Sequence, residues 1–371
     1  MSFYSVIEQY RDFDFEDYFA GVTEEMFRKS MRHAEEERCT EFDLLNFLSP
    51  KGDEHLEEMA VLAQKLTRHY FGRVISLYQP IYLANYCCNG CVYCGFSSLN
   101  KIKRRQLTPD EIEKEAAEIS KSQVRHILML TGEAPGKSDF AYLKESAIIL
   151  KKYFDSVSVE VYPLTYEQYA ELKEIGVDGL TIYQETYDEA VYDRLHLYGP
   201  KKDYRFRLDT PERGAKAGLR VIGIGALFGL GNPMRDGFFS AMHASYLLHH
   251  YPDTEVALSV PRIKKAPETF PITKIVDDTD FVKLMVAFRL FLPRVGLNVS
   301  TREAPEFRNH IVGLGITKMS GGSKTDVGGY SGDNPSDGQF EISDERSVEE
   351  VAAMLKEEGF TPVYKDWWQL V

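Results

Sequence analysis

Four of the five cysteines fall within one short stretch, as Cys87, Cys88, Cys91 and Cys94. Thiolates crowded this closely serve a metal or an iron–sulfur cluster more readily than disulfides. Two registers compete. From Cys88 the spacing is C-x2-C-x2-C, the run of bacterial ferredoxins, which needs a fourth thiolate. The remaining cysteine, Cys39, lies in a different segment and reads as a lone thiol. From Cys87 the spacing is C-x3-C-x2-C, with the aromatic Tyr93 just before the last cysteine. That register offers three thiolates to a cubane 4Fe-4S cluster and leaves one iron open. A zinc knuckle is the alternative, but zinc sites want a fourth Cys or His close by. The next histidine along the chain, His126, belongs to another predicted element.

The elements that must hold this loop show in the rhythm of the chain. From Val74 onward, short apolar runs alternate with amphipathic charged stretches, the pattern of repeated β-α units. Strands are predicted at Ser76–Leu83, Arg125–Thr131, Ser156–Val161, Gly179–Gln184, Arg220–Leu227, Glu255–Val260, Leu297–Thr301 and Gly315–Ser320. Between the first two, Thr108 caps a helix that has Pro109 at its first position. A long helical connection is predicted from Tyr187 to Ala217. Eight such units predict an α/β fold, a (β/α)8 barrel over residues 76–345, with the chemistry at the C-terminal ends of the strands. Residues 1–75 read as an N-terminal helical extension, including one helix over Asp53–Phe71 that stops at Gly72. Residues 346–371 read as a helix and a tail with both tryptophans, packed on the barrel. The Gly-, Ser- and Asp-rich stretch Gly321–Gly338 is long for a βα connection and reads as a mobile loop over the barrel mouth.

Composition narrows the classes. A net charge of -13 argues against nucleic acid, whose recognition needs a positive face. No apolar run reaches the ~20 residues of a membrane span. The first residues lack a basic start and an apolar core, so no signal peptide is expected. Cysteines gathered in one loop fit a reducing, cytoplasmic setting.

At the predicted strand ends stand polar groups that a core would not accept without partners. Thr131-Gly132-Glu133 follows the second strand. A glycine there lets backbone approach a ligand, and the carboxylate can accept from an ammonium group. Glu160 sits between valines on the third strand, where a ribose hydroxyl or an amino acid ammonium would suit it if it faces inward. The fourth strand ends in Tyr183-Gln184-Glu185-Thr186-Tyr187, too polar for a buried end without partners. Ser300-Thr301-Arg302-Glu303 puts an arginine atop the seventh strand, suited to a substrate carboxylate or to an ion pair with Glu303 or Glu306.

These motifs together resemble the radical S-adenosylmethionine (SAM) enzymes, which chelate SAM on the open iron of a three-cysteine cluster. Thr131-Gly132-Glu133 resembles the Gly-Gly-Glu element for the SAM amino group. The stretch Arg207-Leu-Asp-Thr to Gly231 resembles biotin synthase and its relatives, in which the matching Arg207 binds the SAM carboxylate and the strand around Leu227 receives adenine. Tyr82-Leu-x-Asn, Gly95-Phe-Ser, Arg104-Arg105, Ser300-Thr-Arg-Glu303, Gly328-Gly-Tyr330 and Lys365-Asp-Trp367 are similar to the aromatic amino acid lyase branch, most of all the tyrosine lyases of thiamin biosynthesis. The resemblance implies a 4Fe-4S cluster on Cys87, Cys91 and Cys94, with Cys88 as a bystander. It implies SAM contacts at Tyr93, Gly132, Glu133, Glu160, Gln184, Arg207 and Leu227, and L-tyrosine contacts at Tyr82, Ser300 and Arg302. The implied reaction takes a hydrogen from the tyrosine amino group and breaks the Cα–Cβ bond, giving 2-iminoacetate (dehydroglycine) and p-cresol. The implied partners are a thiazole synthase and a low-potential electron donor such as flavodoxin or ferredoxin. A tryptophan lyase shares the scaffold. The hydrogenase maturase that also cleaves tyrosine carries further cysteines, and none follows Cys94 here. A non-catalytic Fe–S storage or sensing protein needs neither Glu133, Arg207 nor Arg302.

Overall fold

Eight parallel strands close on themselves in the computed structural model, which describes residues 2–264, 275–332 and 336–365. They are β1 (Val74–Ala84), β2 (His126–Thr131), β3 (Ser156–Glu160), β4 (Val177–Glu185), β5 (Val221–Ala226), β6 (Glu255–Ser259), β7 (Gly296–Val299) and β8 (Lys318–Ser320). β1 pairs with β2 on one side and β8 on the other, which closes the barrel. The predicted strands fall on the observed ones within a few residues. Helices lie between them, and they start as the sequence demands. Thr108 closes a capping box with Glu111 ahead of Pro109. Thr165 does the same with Gln168, and Ser347 with Glu350.

Three local expectations change. The helix expected over Asp53–Phe71 is two, Pro50–Glu54 and Leu56–Phe71, interrupted at His55. His55 stacks on Phe27 and bonds Glu24, contacts that hold it out of register with both helices. The connection from Tyr187 to Ala217 is several short helices, because Gly199 takes φ 93° and Pro200 follows it. A ninth strand, β9 (Thr361–Val363), pairs parallel to Val74–Ser76 at the base of β1. Three residues with a central proline carry no strand signal. The tail does pack on the barrel as far as Lys365, which pairs with Asp155 at 3.0 Å. Trp367 and Trp368 lie outside the described residues.

The N-terminal helices share one continuous core with the barrel. Phe3 stacks on His243 at 4.1 Å, Tyr10 meets Phe238 and Phe239 edge-on, and Phe15 meets Phe238 edge-on and Phe239 at a tilt. Both barrel residues belong to the helix Pro233–His250, so the extension packs on the outside of the barrel.

Inside, the strands alternate as parallel strands must. On β2, Leu128 and Leu130 face the barrel interior while Ile127 and Met129 are buried toward the helices. Barrel interiors are ordinarily filled by branched apolar side chains. This one is hollow at both ends. A lower cavity of about 230 Å³ includes Ser76, His126 and Asn298 in its wall, and Tyr78 and Tyr183 divide it from a larger one above.

Candidate active site

The cysteine loop leaves the C-terminal end of β1 and is pinned from several sides. Arg104 donates to the carbonyls of Asn85, Phe96, Ser97 and Asn100, gathering the loop's two ends around one guanidinium. Gly90 N–H donates to Tyr198 O and Val92 N–H to Leu195 O, so the loop's centre forms a short ladder with residues 195–198. Asn89 donates to Glu133 Oε2 at 2.7 Å and lies 3.6 Å from Cys87 Sγ. Cys88 N–H donates to the Glu133 carbonyl at 2.7 Å. Gly132 is required by this approach. A Cβ there would meet the Tyr86 carbonyl oxygen at 2.2 Å and Cys87 Cβ at 3.2 Å. Gly132→Ala is therefore expected to push the cysteine loop off β2, lowering stability by ~1–3 kcal/mol. Thermal denaturation and iron content after reconstitution, both reduced, check this.

The upper cavity, about 420 Å³, opens at the C-terminal ends of the strands beside this loop. Tyr82, Tyr93, Cys94, Glu160, Leu227, Ser300 and Arg302, expected from different parts of the sequence, all line it. The segment after β8 closes its mouth, contributing Ser323, Thr325, Gln339 and Phe340. That segment, expected to be mobile, is tied down through its described residues. Tyr330 O–H donates to the Pro80 carbonyl at 2.7 Å, the Tyr330 and Ser331 N–H groups donate to Glu115, and Tyr82 O–H donates to Gln339 Oε1 at 2.8 Å.

Gln184 was expected at the cofactor, but it does not line the cavity; Tyr183 and Glu185 do. The register of β4 against β5 slips between these two residues, and Glu185 takes φ 72°. A left-handed non-glycine residue costs on the order of 1–2 kcal/mol, a strain that collects at functional sites. The result aims the carboxylate inward. Glu185 Oε1 accepts from Lys201 Nζ at 2.6 Å and lies 3.4 Å from Arg207 Nη2, while Arg207 Nε donates to the Tyr183 carbonyl at 2.7 Å. Arg207 thus stands behind Glu185, outside the cavity's immediate wall.

Burial sets the protonation states. It pushes Glu160 up to about 7, with Glu185 adding to the shift and Arg302 opposing it. Burial also works against Glu185, yet Lys201 and Arg207 hold it below its ordinary value. Arg302 is lowered by burial. Its guanidinium lies 3.7 Å from the centre of the Phe340 ring, and among the described residues it has no carboxylate partner. Glu303, the ion-pair alternative, is taken by Arg262 at 2.6 Å and Lys264 at 3.0 Å. A half-buried cation with no direct ion pair among the described residues suits an anionic ligand.

The thiols share one electrostatic neighbourhood. Burial drives Cys91 up to about 12 and raises Cys94. Each feels the charge of Cys87, and Lys201 is the cation that favours ionisation in both. Cys88 is raised by burial and faces Glu133 and Cys87. Tetrahedral zinc would draw thiolate sulfurs to about 4 Å from one another. Among the described residues no three of these cysteines bring their ligand atoms all within 4.8 Å of one another. Thr131 Oγ1, at the head of the Gly132-Glu133 turn, and Ser323 Oγ are buried without a hydrogen-bond partner among the described residues, as expected where a polar ligand is missing its contacts.

Lys201, His196 and Asn89 carried no sequence signal of their own. His196 is neutral, its pKa pushed down to about 3 by burial, and its Nδ1–H donates to the Tyr192 carbonyl. Its Nε2 is then an acceptor, so Tyr93 O–H donates to it at 2.7 Å and the aromatic ring beside Cys94 is held in place.

Comparisons with known proteins agree with this geometry. Residues 81–237 match the Radical SAM superfamily model, and 259–361 match the Biotin and Thiamin Synthesis associated domain. The chain is 40% identical to 2-iminoacetate synthase of Escherichia coli (strain K12), over 97% of this chain and 96% of that one. It is 42% identical to the Salmonella typhimurium 2-iminoacetate synthase over 88% and 86%. The crystal structure of HydG, a maturase of the FeFe-hydrogenase, superposes with a TM-score of 0.89 at 30% identity, covering 96% of this chain and 80% of that one. The chain belongs to the 2-iminoacetate synthase family of radical SAM enzymes.

Proposed function

We propose that the protein cleaves the Cα–Cβ bond of L-tyrosine to 2-iminoacetate and p-cresol, in thiamin thiazole formation. The observation that carries the reading is Arg302, half-buried and without an ion pair among the described residues, on the wall of a cavity that also holds Cys94 and Tyr82. The family likeness supplies the reaction. When bound, a 4Fe-4S cluster on Cys87, Cys91 and Cys94 with SAM at its open iron supplies a one-electron cleavage and a hydrogen abstractor. The chain's own groups do the rest. Arg302, with Ser300 beside it, takes the tyrosine carboxylate. Tyr82, fixed by Gln339, lies beside the substrate amine. Glu133 takes the SAM ammonium and Glu160 the ribose hydroxyls, Arg207 braces Glu185 from behind rather than meeting the SAM carboxylate itself, while Leu227 offers an apolar wall to adenine and Tyr93 packs against the cofactor. Ser323, Thr325, Gln339 and Phe340 exclude water from above. No helix among the described residues is long and apolar enough to cross a membrane. The reading places the enzyme in the cytoplasm, with a thiazole synthase and a low-potential flavodoxin or ferredoxin as partners.

The test is anaerobic reconstitution with iron and sulfide, then turnover with SAM and either tyrosine or tryptophan. Products from tyrosine alone support the reading; products from tryptophan alone move the enzyme to the other branch.

Glu160 gives the site a pH signature. With its folded pKa raised to about 7, the carboxylate that accepts from a ribose forms only as pH rises through that value. SAM affinity is expected to strengthen roughly tenfold between pH 6 and 8, one pH unit either side of that pKa, and Glu160→Gln to flatten the profile; titration calorimetry reads both. Stability runs the other way. Below about 4.5 the group is protonated folded and unfolded and contributes nothing. From there to about 7 the unfolded chain binds fewer protons, so the ligand-free protein loses stability as pH rises.

A further inference from the structure

The lower cavity takes no part in the chemistry of the upper site, yet the strands are built to keep it open. Barrel interiors are ordinarily packed with branched side chains. At this level the inward positions of β5, β6 and β7 include Gly223, Ala257 and Gly296 instead. Leu128, Leu180 and Val221 add apolar wall, and Ser76, Ser158 and Asn298 set polar atoms among them. A cavity costs stability in proportion to its volume, so one maintained by three small residues points to a guest.

One polar group in the wall shows what kind of guest. His126 is 5% exposed; its Nδ1 has no hydrogen-bond partner among the described residues, while its Nε2 lies 3.0 Å from Ser158 Oγ. The ring is neutral, since burial, Lys318 and Arg220 all lower its pKa. A neutral imidazole has one N–H and one lone pair. If Nε2 donates to Ser158, Nδ1 is an acceptor; if Ser158 donates, Nδ1 is a donor. A hydroxyl satisfies either tautomer, whereas a carboxylate or an ammonium satisfies only one. The charged groups of the wall do not select an ion either. Arg220 pairs with Glu255 at 3.2 Å, and Lys318 Nζ lies over the Tyr78 ring at 5.8 Å. The volume suits an aromatic ring. A cavity of about 150 Å³ holds benzene, and this one measures about 230 Å³.

Position supplies the source of such a molecule. A small third cavity shares Ser259 and Asn298 with the lower one, Ser300 and Arg302 with the upper one, and Tyr78 and Tyr183 with both. The three adjoin along the barrel, and the two tyrosines are the partition. At its other end the lower cavity reaches Val74 and Glu255, exposed residues at the starts of β1 and β6. It therefore meets solvent at the base of the barrel, away from the cysteine loop.

We propose that the lower cavity binds a small neutral phenol, p-cresol, on its way from the upper cavity to solvent at the barrel base. The hydroxyl pairs with His126 Nδ1, and the ring and methyl group meet Leu128, Leu180 and Ala257. The choice of p-cresol rests on the proposed tyrosine cleavage; the preference for a neutral phenol rests on the cavity alone.

The test uses reconstituted holoenzyme saturated with SAM and L-tyrosine and given no reductant, so that the upper cavity is occupied and nothing turns over. Titration calorimetry follows p-cresol binding to wild type, His126→Phe and Ala257→Leu, and toluene binding to wild type. Crystals of the same complex soaked with 4-bromophenol locate the ring by its bromine, whatever the variants do to folding. Saturable p-cresol binding at one site is expected, with bromine in the lower cavity. Toluene on wild type and p-cresol on His126→Phe should each bind about fivefold more weakly, the worth of one neutral hydrogen bond. Ala257→Leu, which fills the space, should weaken p-cresol at least about tenfold. No binding to wild type, bromine elsewhere, or p-cresol affinity unchanged in both variants overturns the inference. Displacement of tyrosine by p-cresol overturns it too, since the phenol would then sit in the upper cavity. Toluene binding as tightly as p-cresol overturns the phenol assignment. The expected binding in an enzyme that makes no p-cresol from tyrosine contradicts the proposed function and leaves the phenol site standing.

Discussion

Arg302→Ala is expected to raise the tyrosine KM about 100-fold while leaving SAM cleavage without tyrosine measurable. The side chain is half-buried, stacked on Phe340, and hydrogen-bonded to no carboxylate among the described residues. Truncating a buried cation that meets a ligand carboxylate costs 2–5 kcal/mol, and a hundredfold is about 2.7 kcal/mol. Arg302→Lys should recover little of the loss, because a lysine ammonium cannot fork onto a carboxylate or stack on the Phe340 ring. Tyrosine dependence of p-cresol formation, read beside deoxyadenosine formed without substrate, separates the outcomes. Loss of SAM binding in Arg302→Ala would instead move this arginine to the cofactor.

The second large effect concerns the neighbouring thiols. Cys87→Ala should abolish iron incorporation and activity; Cys88→Ala should keep most of both. The electrostatic neighbours of Cys91 and Cys94 include Cys87, whereas Cys88 is turned toward Glu133 with its N–H on that residue's carbonyl. Iron quantification and the absorbance of reconstituted variants check this, and the opposite pattern would shift the ligand register by one residue.

The barrel was legible because its strands are short apolar runs separated by capped helices, and Thr108, Thr165 and Ser347 mark helix starts in the sequence as they do in the structure. The cysteine loop was legible for the same reason, since spacing is a one-dimensional property. What stayed hidden depends on contacts between distant segments. Glu160 faces inward, which alternation along a five-residue strand does not decide. Gln184 and Glu185 exchange places because β4 slips against β5, and nothing in Tyr-Gln-Glu-Thr-Tyr announces a bulge. Lys201 reaches Glu185 only because Gly199 and Pro200 break the expected helix and turn the chain back against Asn89, whose Oδ1 accepts from the Lys201 N–H. The loop from Gly321 has the composition of a mobile segment. Its described part is instead held through Tyr330 and Gln339 to Pro80, Glu115 and Tyr82, partners more than 200 residues away along the chain.

The most direct test of the account is the product balance of an anaerobic turnover with reductant, SAM and L-tyrosine. The account predicts p-cresol and 5′-deoxyadenosine in equal amounts, with glyoxylate appearing as 2-iminoacetate hydrolyses. Deoxyadenosine without p-cresol would keep the SAM chemistry and contradict tyrosine as the substrate. Neither product, from protein with its full complement of iron, would contradict the catalytic reading altogether.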